Sequence, residues 1–340
     1  AEGLAQGGGG ACSSTCPGPG RGPAPGANGW GPGAERRSYE REAEVLRYVE
    51  AHSARGDAEG VLAAVEAFCS TRRCWLKLAG GEKAAALEAA VHARQPWLTV
   101  EVGCYVGYSA VRLGAAARAW GGRVVSLELD PHVACVARGV VRHAGLAGTV
   151  EVWVGHSEQL LGRLPGLGLP VGLAFFDQRG SRFHEDLARL ESLGLLEEGS
   201  LVVADNVLKP GAPAFLWRLC GPEGLAGSGG RFETRVVAVR DFGSVGVEDW
   251  VSISRYTRPL LEGRGGEPEE PAPPPRAVQE LAREADAMRW RSVDGHVSPQ
   301  EWRSFSSFME AALARAGVRP QLLAVGELSS WLAAGRRARA

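Results

Sequence analysis

Apolar residues recur at helical spacing in three stretches, 35–52, 58–70 and 82–93, and each predicts a helix. Strands and helices then alternate. Short apolar runs bounded by turn residues predict strands near 98–102, 123–129, 150–154, 171–177 and 200–204. Helical patterns follow Ser109, Pro131, Ser157 and Arg182. Repeated β-α units predict an α/β fold, a parallel sheet covered by helices on both faces. Two further strand-like runs, 233–239 and 249–254, are joined by a turn around Gly243. They predict an antiparallel hairpin on the sheet edge.

Composition changes twice around this core. Residues 1–34 are dominated by Gly, Pro, Ser and Ala. They hold too little apolar surface to offset chain entropy, so disorder is expected. Residues 259–276 are rich in Gly, Glu and Pro and carry the run Pro271-Ala272-Pro273-Pro274-Pro275, a semi-stiff linker. Beyond it, 277–290 and 300–316 are amphipathic helical patterns around Asp294-Gly295. The expected organisation is a disordered segment (1–34), an α/β domain (35–258), the linker and a small helical module (277–340).

The chain has 340 residues, 45% hydrophobic and 23% charged, as in soluble globular proteins. A formal net charge of −1 gives no global pull toward nucleic acid or anionic membrane. No apolar run approaches the roughly 18 residues of a spanning helix. Among seven cysteines, Cys104 and Cys135 lie in apolar patterns and are expected to be buried. Cys12 and Cys16 lack a partner pair at zinc spacing. Reduced thiols in a cytoplasmic setting are the expectation. The chain opens on Ala1 rather than Met, as a fragment or processed form would.

The most informative stretch runs from Val100 to Ser109. An apolar strand feeds a turn with Gly103 and Gly107 and then an alanine-rich helix. Glycine permits the backbone reversal and a close ligand approach, and the helix-start amides can face polar ligand groups. The next strand ends on Glu128, 25 residues after Gly103. An acidic side chain there can accept both hydroxyls of a ribose. The glycine spacing lacks the G-x-G-x-x-G pyrophosphate cradle. A nucleoside cofactor without phosphates fits better, and S-adenosylmethionine is the common one.

A second constellation is Asp177, after Phe175-Phe176, with Asp205-Asn206 after the next strand. Both fall at carboxyl ends of parallel strands, where open α/β sheets place ligands. Two carboxylates and an amide oxygen suit Mg²⁺. The competing role for each Asp is to cap the following helix.

The segments "VEVGCYVGYSAVR" (100–112), "SLELDP" (126–131), "VGHSEQL" (154–160), "FFDQRGSRF" (175–183) and "VVADNVLKPGAPAFL" (202–216) resemble, in order, the catechol O-methyltransferase family. Trp75, Gly80-Gly81, Lys83 and Arg94-Gln95-Pro96 are also similar to it. The resemblance covers 36–258. It implies a seven-stranded Rossmann-like fold, a methyl donor and a Mg²⁺-bound diphenol. It further implies that Glu101, Gly103, Tyr105 and Ser109 line the donor's methionine part, with Ala79, Tyr108, Leu129 and Asp177 also in contact. Glu128 is implied to hold the ribose and Ser157 and Glu158 to lie near the adenine. Asp177, Asp205 and Asn206 are implied to hold the metal and to be catalytic through it.

Three positions depart from that pattern. The family's lysine base falls at Gly180. Arg179 and Arg182 cannot accept a proton, which leaves metal activation with solvent, or Lys77 or Lys209, to replace it. The family's hairpin glutamate has only Asp241 nearby, and Gln178 and Arg179 stand where the family carries His and Trp.

In the tail, residues 290–301 resemble an EF-hand loop, with Gly295 sixth, Val297 eighth and Glu301 twelfth. Trp290 and Ser292 occupy the first and third positions, so a helix–turn–helix without Ca²⁺ is expected.

The reading is a monomeric S-adenosylmethionine- and Mg²⁺-dependent O-methyltransferase acting on a small diphenol. Its rival is a non-catalytic donor-binding regulatory protein. Gly180 favours the rival, and the complete metal set favours the enzyme.

Overall fold

A computed structural model describes residues 39–71, 76, 78–221, 231–240, 247–257, 273–293 and 297–337. The expectations for 1–34, Lys77, Asp241, Gly243 and Asp294–Gly295 lie outside these residues.

Three helices come first, α1 (Glu40–His52), α2 (Ala58–Thr71) and α3 (Glu82–Arg94). The alternating part follows with β1 (Leu98–Val102), α4 (Tyr108–Arg118), β2 (Arg123–Glu128), α5 (Pro131–His143), β3 (Val150–Val154) and α6 (Ser157–Leu161). It continues with β4 (Val171–Phe176), α7 (Phe183–Ser192), β5 (Leu196–Ala204), α8 (Pro213–Cys220), β6 (Phe232–Arg240) and β7 (Glu248–Tyr256). The sheet order is β3-β2-β1-β4-β5-β7-β6-β8, where β8 is the two-residue strand Leu322–Leu323. The first five strands are parallel, and β7 runs antiparallel to both β5 and β6. This is the seven-stranded mixed sheet expected, with one short strand from the tail added to its edge.

The central strands are apolar because both faces are covered. All five residues of β1 are buried, and Glu101 is its one ionisable group. Local signals set the helix starts. Asp130 caps α5 by accepting from the His132 and Val133 amides, with Pro131 at the first helical position. Gly107, at φ 87°, opens α4 and packs so closely on Ala137 that a Cβ would stand 3.3 Å from its backbone.

The tail forms α9 (Arg276–Val293), α10 (Pro299–Arg315) and α11 (Val325–Arg337). Val278, Leu281 and Ala285 of α9 and Met309, Ala312 and Leu313 of α10 are buried in one core with Phe176, Phe183 and Phe215. Leu328 and Leu332 of α11 join the core on the opposite sheet face. Cys104 is buried as expected, whereas Cys135 is exposed. The buried face of α5 is Val133, Ala134, Val136, Ala137, Val140 and Val141, and Cys135 points away from it.

Candidate active site

The turn after β1 is built for close approach. Gly103 has φ 103°, and a Cβ there would stand 2.5 Å from the Asp177 carbonyl oxygen. Only glycine lets the β1 and β4 ends meet so tightly. Tyr105 follows in the left-handed region at φ 48°. Its amide donates to Glu128 Oε2 (2.8 Å), and the Asp130 amide donates to Glu128 Oε1 (2.9 Å). Burial still pushes the Glu128 carboxyl up. The Tyr105 hydroxyl donates to Glu42 on α1 (2.9 Å).

A narrow cleft opens beside this turn. Leu78, Ala79, Cys104, Tyr105 and Val106 line one part of it. Tyr108, Ser109 and Asp177 line the rest. Five residues picked from sequence therefore meet there: Ala79, Tyr105, Tyr108, Ser109 and Asp177. Tyr108 shows the cleft its ring, because its hydroxyl is tied to Glu66 and receives from Arg112 (2.5 Å).

Glu101 lies fully buried beneath the turn. Ser126 donates to its Oε2, and Ser109 also acts on the carboxyl. Its Oε1 has no hydrogen-bond partner among the described residues. Burial pushes this carboxyl up to about 7, against the lowering by Ser109 and Ser126. An orphaned buried oxygen next to a cleft residue suits a cationic ligand group. Ser157 is buried at the head of α6, while Leu129 and Glu158 are exposed beyond Glu128.

The oxygen cluster forms one strand away. Phe176 pairs with Ala204, and the Asp205 amide donates to the Phe176 carbonyl (3.0 Å). Asp177 and Asp205 thus leave adjacent strands at the same level. Asn206 turns into the left-handed region at φ 58°. Lys83 of α3 ion-pairs with Asp205 Oδ1 (2.9 Å), which also accepts from the Asn206 amide (2.7 Å). Burial pushes Asp205 up to about 6, opposed by Lys83 and reinforced by Asp249.

Asp249 of β7 organises this cluster, and sequence reading missed it. Its carboxylate is fully buried and receives Lys83 Nζ (2.8 Å), Asn206 Nδ2 (2.8 Å) and the backbone amides of Lys209 (2.9 Å) and Trp250 (2.8 Å). Because Asn206 donates through Nδ2, its Oδ1 is the atom left to face a cation. Among the described residues both partners of the Asp205 side chain, Lys83 and the Asn206 backbone amide, fall on Oδ1. The remaining donor set is carboxylate and amide oxygen, which fits a hard cation. Among the described residues no group of three His, Cys, Asp or Glu converges. A cation here would therefore draw its other ligands from water or substrate.

Gly180, the position where the resemblance implies a lysine, is sealed. A Cβ there would press into the Gly211 carbonyl oxygen and stand 3.1 Å from the Ala212 Cβ. The tail backs this seal, since Met309 and Ala285 lie against Gly211. Lys209, a candidate replacement base, is buried with Nζ 5.1 Å from the ring centre of Trp302 on α10.

In the EF-hand-like stretch, α9 continues through Trp290 to Val293. Glu301 closes a capping box with Ser298 and pairs with Arg291 (2.6 Å). The Ser298 backbone and hydroxyl, then Arg291, hold its carboxyl down at about 2.

The sheet order and a ligand cleft at the carboxyl ends of β1 and β4 define a methyltransferase-type α/β domain. In agreement, a family model described as a methyltransferase domain matches residues 100–207. Catechol O-methyltransferase of Mus musculus is 34% identical over 178 residues, 52% of this chain and 66% of that protein. Catechol O-methyltransferase B of Danio rerio is 35% identical over 178 residues, 52% of this chain and 67% of that protein. Transmembrane O-methyltransferase of Homo sapiens is 33% identical over 227 residues, 64% of this chain and 73% of that protein. The chain belongs to the catechol O-methyltransferase family. The matched stretch spans about two thirds of the mouse protein. No helix among the described residues is long and apolar enough to cross a membrane.

Proposed function

We propose that this chain transfers the methyl group of S-adenosylmethionine to one hydroxyl of a catechol-type diphenol, with Mg²⁺ as the metal. One observation carries the reading. Asp177 lines the cleft beside the glycine turn and also stands level with Asp205 and Asn206 on the next strand. A donor and a cation site would then share a wall.

The residues divide the work. Glu101 would meet the donor's ammonium and Glu128 its ribose hydroxyls, with Tyr105 and Ser109 holding the intervening part. Asp177, Asp205 and Asn206 would hold Mg²⁺. When bound, the ion supplies Lewis acidity that favours the phenolate over the phenol. Lys83 and Asp249 fix the orientation of Asp205 and Asn206, so the acceptor oxygen is held rather than searched for. The S–CH₃ bond breaks as the O–CH₃ bond forms. Gly180 offers no side chain for the phenol proton, which passes to water. Action as a single subunit in the cytoplasm completes the reading.

The test is transfer of labelled methyl from S-adenosylmethionine to a catechol panel, with and without EDTA. Mg²⁺-dependent transfer to at least one diphenol is expected. Donor binding by calorimetry with no transfer to any of them would replace this reading with that of a non-catalytic donor-binding protein.

Donor affinity is also expected to depend on pH. A carboxyl raised to about 7 favours the folded state below its ordinary value near 4.5 and loses that contribution as pH rises through 7. The full contribution is about 3 kcal/mol. A donor ammonium prefers the ionised carboxylate, so binding should tighten between pH 6 and 8 with release of up to one proton. Calorimetry in buffers of different ionisation enthalpy reads that release. Its persistence in Glu101→Gln would contradict the assignment.

A further inference from the structure

Consecutive residues of the tail helix α9 touch the two loops that follow the candidate cation ligands. Ala285 lies against Gly211, in the loop after Asp205 and Asn206. Asp286 reaches the loop after Asp177. Its carboxylate accepts from Arg179 Nε (2.8 Å), from Arg179 Nη2 and from the Ser181 hydroxyl (3.0 Å). The Arg179 guanidinium also lies 5.9 Å from the ring centre of Trp290, on the same helix. The two loops meet each other where Gly180 packs on the Gly211 carbonyl.

The strands fix only part of the spacing between the ligands. The β4–β5 ladder ends at Phe176 and Ala204, with one further bond from the Asp205 amide to the Phe176 carbonyl. Beyond it, side chains hold the loop after Asp177 from two directions. Gln178 donates to Asp186 on α7, while Arg179 and Ser181 donate to Asp286 on α9. Asp286 Oδ1 takes Nε and the Ser181 hydroxyl, and Oδ2 takes Nη2. Such a two-point pair fixes orientation as well as distance. Its side chains are 32% and 21% exposed, so it contributes little to overall stability, and what it supplies is geometry. Geometry matters at this place. A cation that draws most of its ligands from water or substrate depends on how well its few protein oxygens are held beforehand.

We propose that Asp286 is a positioning residue for the cation site, holding the loop after Asp177 at the separation from Asp205 and Asn206 that Mg²⁺ requires. The identity of the ion rests on the methyl-transfer reading above. Asp286 touches neither ion nor acceptor and acts through Arg179 and Ser181. The tail, which lies beyond the segment that resembles the family, is then part of the working domain. Asp286 also neutralises Arg179, a cation two residues from a metal ligand. Position and charge thus make different predictions for a variant that lacks both partners.

Calorimetry on the full chain saturated with S-adenosylhomocysteine measures Mg²⁺ affinity. Affinity for S-adenosylhomocysteine, melting temperature and methyl-transfer rate are measured alongside. Asp286→Ala is expected to weaken Mg²⁺ binding about tenfold, the lower end of what residues supporting a metal site contribute. Affinity for S-adenosylhomocysteine should stay within about twofold, since that site lies apart from the pair. Asp286→Glu, which keeps the charge, should recover part of the loss. Ser181→Ala leaves the two-point pair intact, so it should weaken Mg²⁺ binding less, and it serves if the α9 variants do not fold. The Arg179→Ala/Asp286→Ala double variant should bind Mg²⁺ no better than Asp286→Ala, because the two side chains act as one clamp. Wild-type Mg²⁺ affinity in the double variant would overturn the proposal, making the charge of Arg179 the cause. A lowered melting temperature with unchanged Mg²⁺ affinity would also overturn it, leaving Asp286 a fastener of the tail. A wild-type protein that binds no Mg²⁺ would overturn it and remove the metal from the methyl-transfer reading as well. If Mg²⁺ binding depends on Asp286 in the expected way but no diphenol is methylated, the positioning role stands and the catalytic reading fails.

Discussion

Asp249→Ala is expected to cost about 3–5 kcal/mol of stability and to abolish Mg²⁺-dependent transfer. The carboxylate is fully buried and is the shared acceptor for Lys83, Asn206, Lys209 and Trp250. Removing it strands the Asn206, Lys209 and Trp250 donors and takes one carboxylate from the buried Lys83 ammonium, which also pairs with Asp205. Stranding one charge of a buried pair costs more than the pair itself contributes. The Asn206 amide also loses the bond that sets its orientation. Asp249→Asn keeps the shape and one acceptor oxygen, so it should fall between wild type and alanine. Denaturant unfolding and Mg²⁺ titration of transfer read the two effects. A loss under about 1 kcal/mol with an unchanged Mg²⁺ response would remove Asp249 from this role.

Gly180→Lys is expected to lower stability by about 2–3 kcal/mol, as overpacking does, and to leave the transfer rate no higher. The resemblance suggests that restoring a lysine should restore a base. The structure argues otherwise, because the Cβ alone would collide with the Gly211 carbonyl. Relief requires the 207–211 loop to move, and Met309 and Ala285 lie against Gly211. That loop also follows Asn206, so the disturbance would reach the cation ligands. Thermal melting and initial rates over pH 6 to 9 check this. A lysine variant with unchanged melting temperature and a faster rate would show that the space is open.

Much of this architecture could be read from local pattern. Strands β1 and β3 begin and end where the pattern predicts them; β1 is buried throughout, as a central parallel strand is, whereas β3 lies at the sheet edge and leaves Glu151 exposed between buried Val150 and Val152. The glycine turn was legible for a similar reason: Gly103 and Gly107 both need positive φ. The donor-side residues Ala79, Tyr105, Tyr108 and Ser109 came from resemblance, and the cleft brings them together.

What escaped depends on partners distant in sequence. Asp249 reads as an unremarkable strand residue until β7 folds beside β5 and brings it to Lys83, 166 residues away. The helical stripes of α9 and α10 showed that one face of each is buried but not what covers it. Leu322 and Leu323 form a strand only because the edge of β6 is available to pair with them. Cys135 looked apolar by its neighbours, yet it falls between the buried positions of α5.

The central claim is that one cleft joins a donor site to a cation site built from Asp177, Asp205 and Asn206. Asp205→Asn tests it most directly, because it preserves volume and the acceptor for the Asn206 amide while removing the charge. Donor affinity by calorimetry is predicted to stay within about threefold, while Mg²⁺-dependent methyl transfer falls at least about 100-fold. Equal transfer by the variant and the wild type, with the same Mg²⁺ requirement, would contradict the account.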